Sequence, residues 1–202
     1  DPAARVSLSA FVASAAEPPR VEKLAQIAGA ARRLHEGPVF PPMVPFLDAV
    51  LAVFGHFTAA KLAPPQVIEQ AADLLTRIDA AYRLDPGDVV ASHNDLNPGN
   101  ILFGDHGVVF VDWESAFAAD RFVDLAAILN YFAADSADDA DLILTAYFGR
   151  PPTPRERARA DAMRQVNRLL YAGLLLMAAA QQGGRATEAD LAAGGYATLR
   201  AG

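Results

Sequence analysis

The sequence predicts a mainly α protein with one small β-hairpin, in the α+β class. Apolar residues recur at helical spacing along most of the chain, whereas residues 101–111 hold two short strand-like runs on either side of a Gly-Asp-His-Gly turn. Hydrophobic residues make up 52% of the 202 positions, which allows a sizeable core and excludes a disordered chain. We therefore expect a single domain over residues 1–202.

Prolines and capping residues mark where the helices begin. Pro19 and Pro65 suit the start of a helix, because proline fits the first helical turn. Thr153 and Glu156 have the spacing of a capping box. The predicted helices cover residues 21–35, 46–57, 65–82, 123–132, 142–148 and 154–182.

Two polar features receive structural interpretations. His35 closes the first predicted helix, and we interpret it as a packing or capping residue. Residues 135–141 include four aspartates, but they lack the glycine and final glutamate of a calcium loop. We interpret this acidic run as a solvated helix start.

The predicted hairpin gathers polar residues at its open end. It is expected to bring Asp95, Asn100 and Asp112 towards one another. Two carboxylates and an amide oxygen form the hard, oxygen-rich ligand set that Mg²⁺ prefers, with phosphates and waters completing the octahedron.

The same stretch carries a family resemblance. His93-x-Asp95-x-x-x-x-Asn100, followed twelve residues later by Asp112, resembles the catalytic and metal loops of the protein-kinase-like small-molecule phosphotransferases. That group contains the aminoglycoside phosphotransferases and the choline/ethanolamine kinases. The sequence of this stretch is most similar to the choline-kinase branch: it is His-Asn-Asp-Leu-Asn-Pro-Gly-Asn-Ile-Leu, followed by Val-Asp-Trp-Glu-Ser-Ala.

The resemblance implies a role for each of these residues. Asp95 is expected to accept the proton of the acceptor hydroxyl, while Asn100 and Asp112 hold Mg²⁺ against the phosphates of ATP. His93 is grouped with Asp95 in the catalytic loop, which it is expected to brace through hydrogen bonds. These roles suit phosphoryl transfer, in which positioning and charge neutralisation do most of the catalysis.

The acceptor is expected to be a small, cationic alcohol, with choline and ethanolamine as the first candidates. Glu114, Asp120 and Tyr171 are the predicted acceptor-binding residues, although Asp120 could instead pair with its neighbour Arg121. Asp120 also opens the family's downstream Asp-x-x-x-Asp-Leu-Ala pattern, whose second aspartate, Asp124, is expected to hold the catalytic loop.

Other functions stay open from the residues alone. An aminoglycoside or another small molecule could be the acceptor, with the acidic run at 135–141 contributing to the cleft. A non-catalytic, kinase-like binding module is an alternative of another class, although Asp95, Asn100 and Asp112 are all in place. A metal-dependent hydrolase is disfavoured, since His93 and His106 are too few for such a site.

By the resemblance, the chain is the helical C-terminal lobe of a kinase-like enzyme. The N-terminal lobe of such an enzyme supplies a strand lysine and a nucleotide-covering hairpin. Here neither Lys23 nor Lys61 lies on a predicted strand, and no glycine-rich phosphate loop occurs. We expect the N-terminal lobe to be absent and the isolated chain to be inactive towards ATP.

Composition restricts partners and location. The net charge of −7 argues against a nucleic-acid partner, and the lack of cysteine excludes disulfides and thiolate sites. No leader-like segment or apolar run of membrane-spanning length is present, so we expect a cytoplasmic protein without a membrane partner. The sequence does not indicate an oligomeric state.

Overall fold

The chain is mostly helical, as the sequence predicts. The computed structural model describes residues 19–104, 107–134 and 136–181. The helices within these residues are α1 (Arg20–His35), α2 (Phe46–Ala59), α3 (Pro65–Ala81), α4 (Arg121–Phe132), α5 (Ala137–Phe148) and α6 (Pro154–Gln181). The strands are β1 (Val89–Ser92), β2 (Ile101–Gly104), β3 (Gly107–Phe110) and β4 (Phe117–Asp120). His106, Asp135 and the predicted end of α6 at residue 182 lie outside the described residues.

The predicted hairpin is confirmed, but it is not the only pair of strands. β2 and β3 pair antiparallel, with Ile101 opposite Phe110. β1 and β4 form a second antiparallel pair, with Ser92 opposite Phe117, which the sequence prediction missed. The reason is that β4 reads Phe-Ala-Ala-Asp, and alanine has little preference for strands. Long-range pairing with β1 therefore imposes this strand.

The described part of the first of two compact units comprises residues 19–43, 85–104, 107–134 and 136–160. Its centre is α4, which is buried along nearly its whole length and contacts both β1 and α1. α1 also packs against α5, and it buries Leu24 and Ile27 almost completely. Burial of each such side chain stabilises the fold by about 1.5–3 kcal/mol relative to leaving it exposed. This packing holds the strands and their loops against one helical support.

The described part of the second unit comprises residues 44–84 and 161–181. In its described part, α2 and α3 pack beside the remainder of α6 around a small apolar cluster centred on Phe57 and Leu62. Leu176 and Met177 of α6 cover that cluster. The prediction of one domain over residues 1–202 stays a prediction.

The predicted helix starts are confirmed at α5 and α6. Ser136 Oγ accepts a hydrogen bond from Asp139 N (3.1 Å), so the acidic run does begin a helix. Thr153 Oγ1 accepts from Glu156 N (3.2 Å) while Glu156 Oε2 accepts from Thr153 N (2.7 Å), which is the reciprocal pattern of a capping box. Within the described residues, no helix combines the length and hydropathy needed to cross a bilayer.

Candidate active site

The loop at residues 93–100 joins β1 to β2 and is folded by its own side chains. Asn100 Nδ2 donates to the backbone oxygen of Asp95 and to its Oδ2, both at 2.9 Å. Asn97 Nδ2 donates to the same Oδ2 (3.1 Å), and Asn97 Oδ1 accepts from Gly99 N (2.8 Å). Asn100 is buried and Asp95 is half-buried. Two amide donors therefore fix the carboxylate of Asp95 relative to Asn100.

Asp112 lies beside Asn100 at the open end of the hairpin. Val111 N donates to Asn100 O (3.0 Å), which extends the β2–β3 pairing by one step and leaves Asp112 as the next residue. Asp112 is exposed, adopts a left-handed backbone conformation with φ 65°, and does not cap the turn that follows it. A non-glycine residue in that conformation costs about 1–2 kcal/mol. Strain of this kind is often found at functional positions.

Asn100 and Asp112 fit a Mg²⁺ site by their chemistry. The Nδ2 atom of Asn100 is engaged by Asp95, so Oδ1 is the atom of that amide that can coordinate a cation. Asp112 adds an exposed carboxylate beside it. In the described part of the chain, no group of three or more His, Cys, Asp or Glu residues could hold a metal. The ion would therefore need substrate phosphates and waters as further ligands, as is usual for Mg²⁺.

His93 is placed as a brace. Its ring is fully buried, its Nε2 donates to Val111 O (2.9 Å), and it packs against Trp113 at a ring-centroid distance of 4.7 Å. Trp113 Nε1 in turn donates to Phe110 O (3.0 Å). This arrangement ties the 93–100 loop to the backbone just before Asp112. A ring with no exposed surface is not placed to touch a substrate.

Asp124 holds the start of the 93–100 loop from α4. Its Oδ2 accepts from His93 N (2.8 Å) and its Oδ1 accepts from Asn94 N (2.7 Å). The same Oδ2 lies 2.9 Å from His35 Nε2. Burial alone raises the pKa of Asp124, but the hydrogen bond from His35, together with the two backbone N–H groups, outweighs it and holds the pKa below its ordinary value.

His35 is the partner of Asp124 that sequence reasoning missed. The two residues lie 89 positions apart, and nothing local marks the pairing. The interpretation of His35 as a packing residue identified its burial but not its role. Its Nδ1 lies 2.7 Å from the hydroxyl of Tyr147, a buried residue of α5. The Arg-Leu-His ending of α1 was the available signal, since it resembles a helix end of the family.

The geometry gives Asp120 a structural role. Its Oδ1 accepts from Phe122 N (3.0 Å), which caps α4, and its Oδ2 pairs with Arg159 Nη2 (2.7 Å). Arg121 itself pairs with Asp88 (2.8 Å), and the alternative of a local pair between Asp120 and Arg121 stays a prediction. Acceptor binding by Asp120 stays a prediction, and its 5% exposure does not favour it.

The other two predicted acceptor residues lie in different units. Glu114 is exposed, in the first unit, on the turn that follows Asp112. Tyr171 is partly buried on α6, in the second unit. Their binding roles stay predictions.

Comparison with known proteins places this geometry in context. The sequence model of the phosphotransferase enzyme family matches residues 6–171. A choline/ethanolamine kinase family protein from Mesorhizobium loti has a similar solved structure, with TM-score 0.70 and 23% identity over 90% of this chain and 62% of that one. A search of curated proteins finds no match.

Two antibiotic-modifying enzymes have the same fold. Macrolide 2'-phosphotransferase type I is similar with TM-score 0.62 and 21% identity, over 89% of this chain and 62% of that one. Spectinomycin phosphotransferase, solved with ADP and spectinomycin, is similar with TM-score 0.54 and 15% identity, over 78% of this chain and 56% of that one. The chain therefore spans about three fifths of the length of these solved structures.

Proposed function

This chain belongs to the phosphotransferase enzyme family, and we propose that it carries the catalytic base and metal ligands for transfer of a phosphoryl group from ATP to a hydroxyl of a small, cationic molecule. The observation that supports this best is the set of bonds joining Asp95, Asn100 and the strand end at Asp112. It presents a fixed carboxylate beside two oxygen ligands. This is the arrangement that phosphoryl transfer needs.

In the proposed mechanism, Asp95 orients the acceptor hydroxyl and takes its proton as the oxygen bonds to the terminal phosphorus of ATP. The bond from that phosphorus to the bridging oxygen breaks, and ADP leaves. The carboxylate is already aimed by the amides of Asn97 and Asn100, so little rearrangement precedes the reaction. Asn100 Oδ1 and Asp112 would hold Mg²⁺, which when bound neutralises charge on the phosphates. His93 and Asp124 do not meet the substrates; they keep the loop in place.

The proposed acceptor is a choline- or ethanolamine-like alcohol. Glu114 supports this choice, because an exposed carboxylate two residues after Asp112 would pair with an ammonium group near the transferred phosphoryl group. The second candidate is an aminoglycoside or another antibiotic, and the similarity to antibiotic phosphotransferases is its support.

We further propose that this chain corresponds to a C-terminal lobe and does not turn over ATP alone. The solved relatives are longer, and a kinase of this type uses a strand lysine to bind the phosphates. Here Lys23 lies on α1 and Lys61 follows the end of α2. Magnesium-dependent ATP consumption by residues 1–202 alone would contradict this proposal.

The decisive experiment is a coupled ATP-consumption assay on the natural-length protein. Choline, ethanolamine, several aminoglycosides and macrolides, and simple sugars are offered with and without Mg²⁺. One strong, Mg²⁺-dependent acceptor identifies the substrate. Magnesium-dependent nucleotide binding without turnover of any acceptor would instead support a non-catalytic binding module.

The variant Asp95→Asn tests the base. We expect kcat to fall by roughly 10²–10⁴-fold, because an amide cannot accept the hydroxyl proton, while the unfolding midpoint changes little. Asp73→Asn is the matched control, since Asp73 is an exposed carboxylate on α3 that pairs with Arg77 across one helical turn. A wild-type rate for Asp95→Asn would show that the base is another group.

A further inference from the structure

A buried path of hydrogen bonds crosses the first unit and ends at the 93–100 loop. Tyr147 Oη on α5 lies 2.7 Å from His35 Nδ1, and His35 Nε2 lies 2.9 Å from Asp124 Oδ2. Asp124 then accepts from the backbone N–H groups of His93 (2.8 Å) and Asn94 (2.7 Å). Tyr147, His35 and Asp124 are 3%, 7% and 0% exposed. Solvent therefore cannot replace the bonds of Asp124, whereas His35 and Tyr147 also line an open cavity with Arg32 and Arg121.

For a neutral His35, each step of this path has one direction. The ionised carboxylate of Asp124 can only accept, so His35 Nε2 must carry a proton and donate it. The neutral imidazole then presents Nδ1 as an acceptor, which the Tyr147 hydroxyl can satisfy. Burial raises the pKa of Tyr147, so the hydroxyl keeps the proton that it donates. Tyr147 thus favours the tautomer and ring orientation in which His35 Nε2 donates a hydrogen bond to Asp124.

The two ends of the 93–100 loop are held in different ways. The far end is closed locally, by Asn97 and Asn100 on the Asp95 carboxylate. The near end depends on Asp124, which lies on a different helix and bonds the two residues that precede Asp95. A shift of the Asp124 carboxylate would therefore move the base relative to Asn100.

We propose that Tyr147 and His35 are positioning residues for Asp95, acting through Asp124 and the backbone of His93 and Asn94. The hydroxyl of Tyr147 keeps His35 donating to Asp124. Asp124 in turn keeps the start of the loop in the conformation that aims Asp95. The catalytic part of this inference rests on the proposed function; the control of loop order does not.

The test uses Tyr147→Phe in the natural-length protein, because it removes one hydroxyl and keeps the packed ring. We expect amide hydrogen exchange at His93 and Asn94 to accelerate by roughly fivefold or more, the change that corresponds to one net hydrogen bond. In protein labelled with ¹⁵N-histidine, the Nδ1 resonance of His35 is expected to lose the signature of an accepted hydrogen bond. For the active enzyme, kcat falls by a similar factor while KM for ATP and for the acceptor stays the same.

Three further variants separate positioning from general stability. His35→Gln keeps an amide N–H that can donate to Asp124, so we expect loop exchange between that of wild type and that of His35→Leu. Ile143→Val shortens a fully buried side chain on α5 that takes no part in the path. It is expected to leave exchange at His93 and Asn94 and the value of kcat unchanged.

The inference is overturned if folded Tyr147→Phe shows wild-type exchange at His93 and Asn94. It is also overturned if exchange accelerates while kcat of an active enzyme is unchanged, since Tyr147 would then order the loop without positioning the base. If wild-type protein turns over no acceptor, the proposed function fails by itself. The exchange and ¹⁵N measurements still decide whether Tyr147 and His35 control the loop.

Discussion

Two carboxylates in the first unit bind the same kinds of partner in very different surroundings. Asp124 accepts from two backbone N–H groups of the 93–100 loop and from His35. Glu156 accepts from Thr153 N (2.7 Å) and from both terminal nitrogens of Arg150 (2.9 and 2.7 Å). Each has a basic side chain, a backbone donor and a lowered pKa. From their hydrogen-bond partners alone, Asp124 and Glu156 would be expected to contribute equally to stability.

The solvent around each carboxylate makes the difference. The side chain of Asp124 is fully buried, so burial opposes its charge and three partners are needed to overcome that cost. The side chain of Glu156 is 20% exposed and its partner Arg150 is 51% exposed. Water can replace a lost partner of Glu156 but not one of Asp124. The same bonds should thus be worth several times more at Asp124.

Loss of the Asp124 carboxylate is expected to have the largest effect. Asp124→Ala leaves His35 and the N–H groups of His93 and Asn94 buried without an acceptor, which should cost about 3–5 kcal/mol of unfolding free energy. Urea unfolding at pH 7 measures this. Because the folded pKa is lowered, the contribution of Asp124 is complete above its ordinary pKa and is lost as the pH falls through the lowered value. A loss below 1 kcal/mol at pH 7 would remove the distinction from Glu156.

Substitution of Asn94 is expected to cause the next largest loss of unfolding free energy. It tests the conformation of the loop backbone that Asp124 holds. It has φ 65° and donates from Nδ2 to Ser115 O (2.9 Å). Asn94→Ala loses that bond and keeps a Cβ in the left-handed conformation without the side-chain hydrogen bond that supports it, which should cost about 2–3 kcal/mol. Asn94→Gly loses the bond but tolerates the conformation, so we expect it to cost about 1 kcal/mol less than Asn94→Ala. Equal losses in urea unfolding would show that the backbone conformation is not strained.

Local features of this chain were predictable from sequence because they depend on neighbours in the chain. The β2–β3 hairpin follows from two apolar runs around a glycine turn, and the capping box at the start of α6 follows from the spacing of Thr153 and Glu156. Because the hairpin pairs the two strands, it also brings the polar residues Asn100 and Asp112 to the same end of the pair. Their proximity is a consequence of the hairpin register.

Distant polar pairs were not predictable, because helix packing decides them. His35 meets Asp124 only because α1 packs against α4, and neither residue carries a local mark of the other. Asp120 likewise reads as a possible acceptor ligand until Arg159 of α6 is brought onto it. The family resemblance identified Asp124 as an anchor, but it could not supply the partner across 89 residues.

Glu156 is expected to show the smallest effect and to complete the contrast with Asp124. The hydrogen bond from Arg150, aided by Thr153, lowers the pKa of Glu156 to about 2 from an ordinary value of 4.5. Its contribution to stability is therefore complete above pH 4.5 and disappears as the pH falls towards 2. Since both side chains reach solvent, Glu156→Gln should cost only about 1 kcal/mol at pH 7, and less in high salt.

Thermal unfolding of wild type and Glu156→Gln at two pH values and two salt concentrations measures this dependence. Thr153→Ala is a useful control, because it removes the capping hydroxyl and leaves the pair of Glu156 with Arg150 intact, so its cost should not depend on salt. If Glu156→Gln destabilised the protein as much as Asp124→Ala, and equally in high salt, exposure would not be what separates the two carboxylates. The common geometry of their partners would then set their energies, and the 93–100 loop would be held no more firmly than a surface helix end.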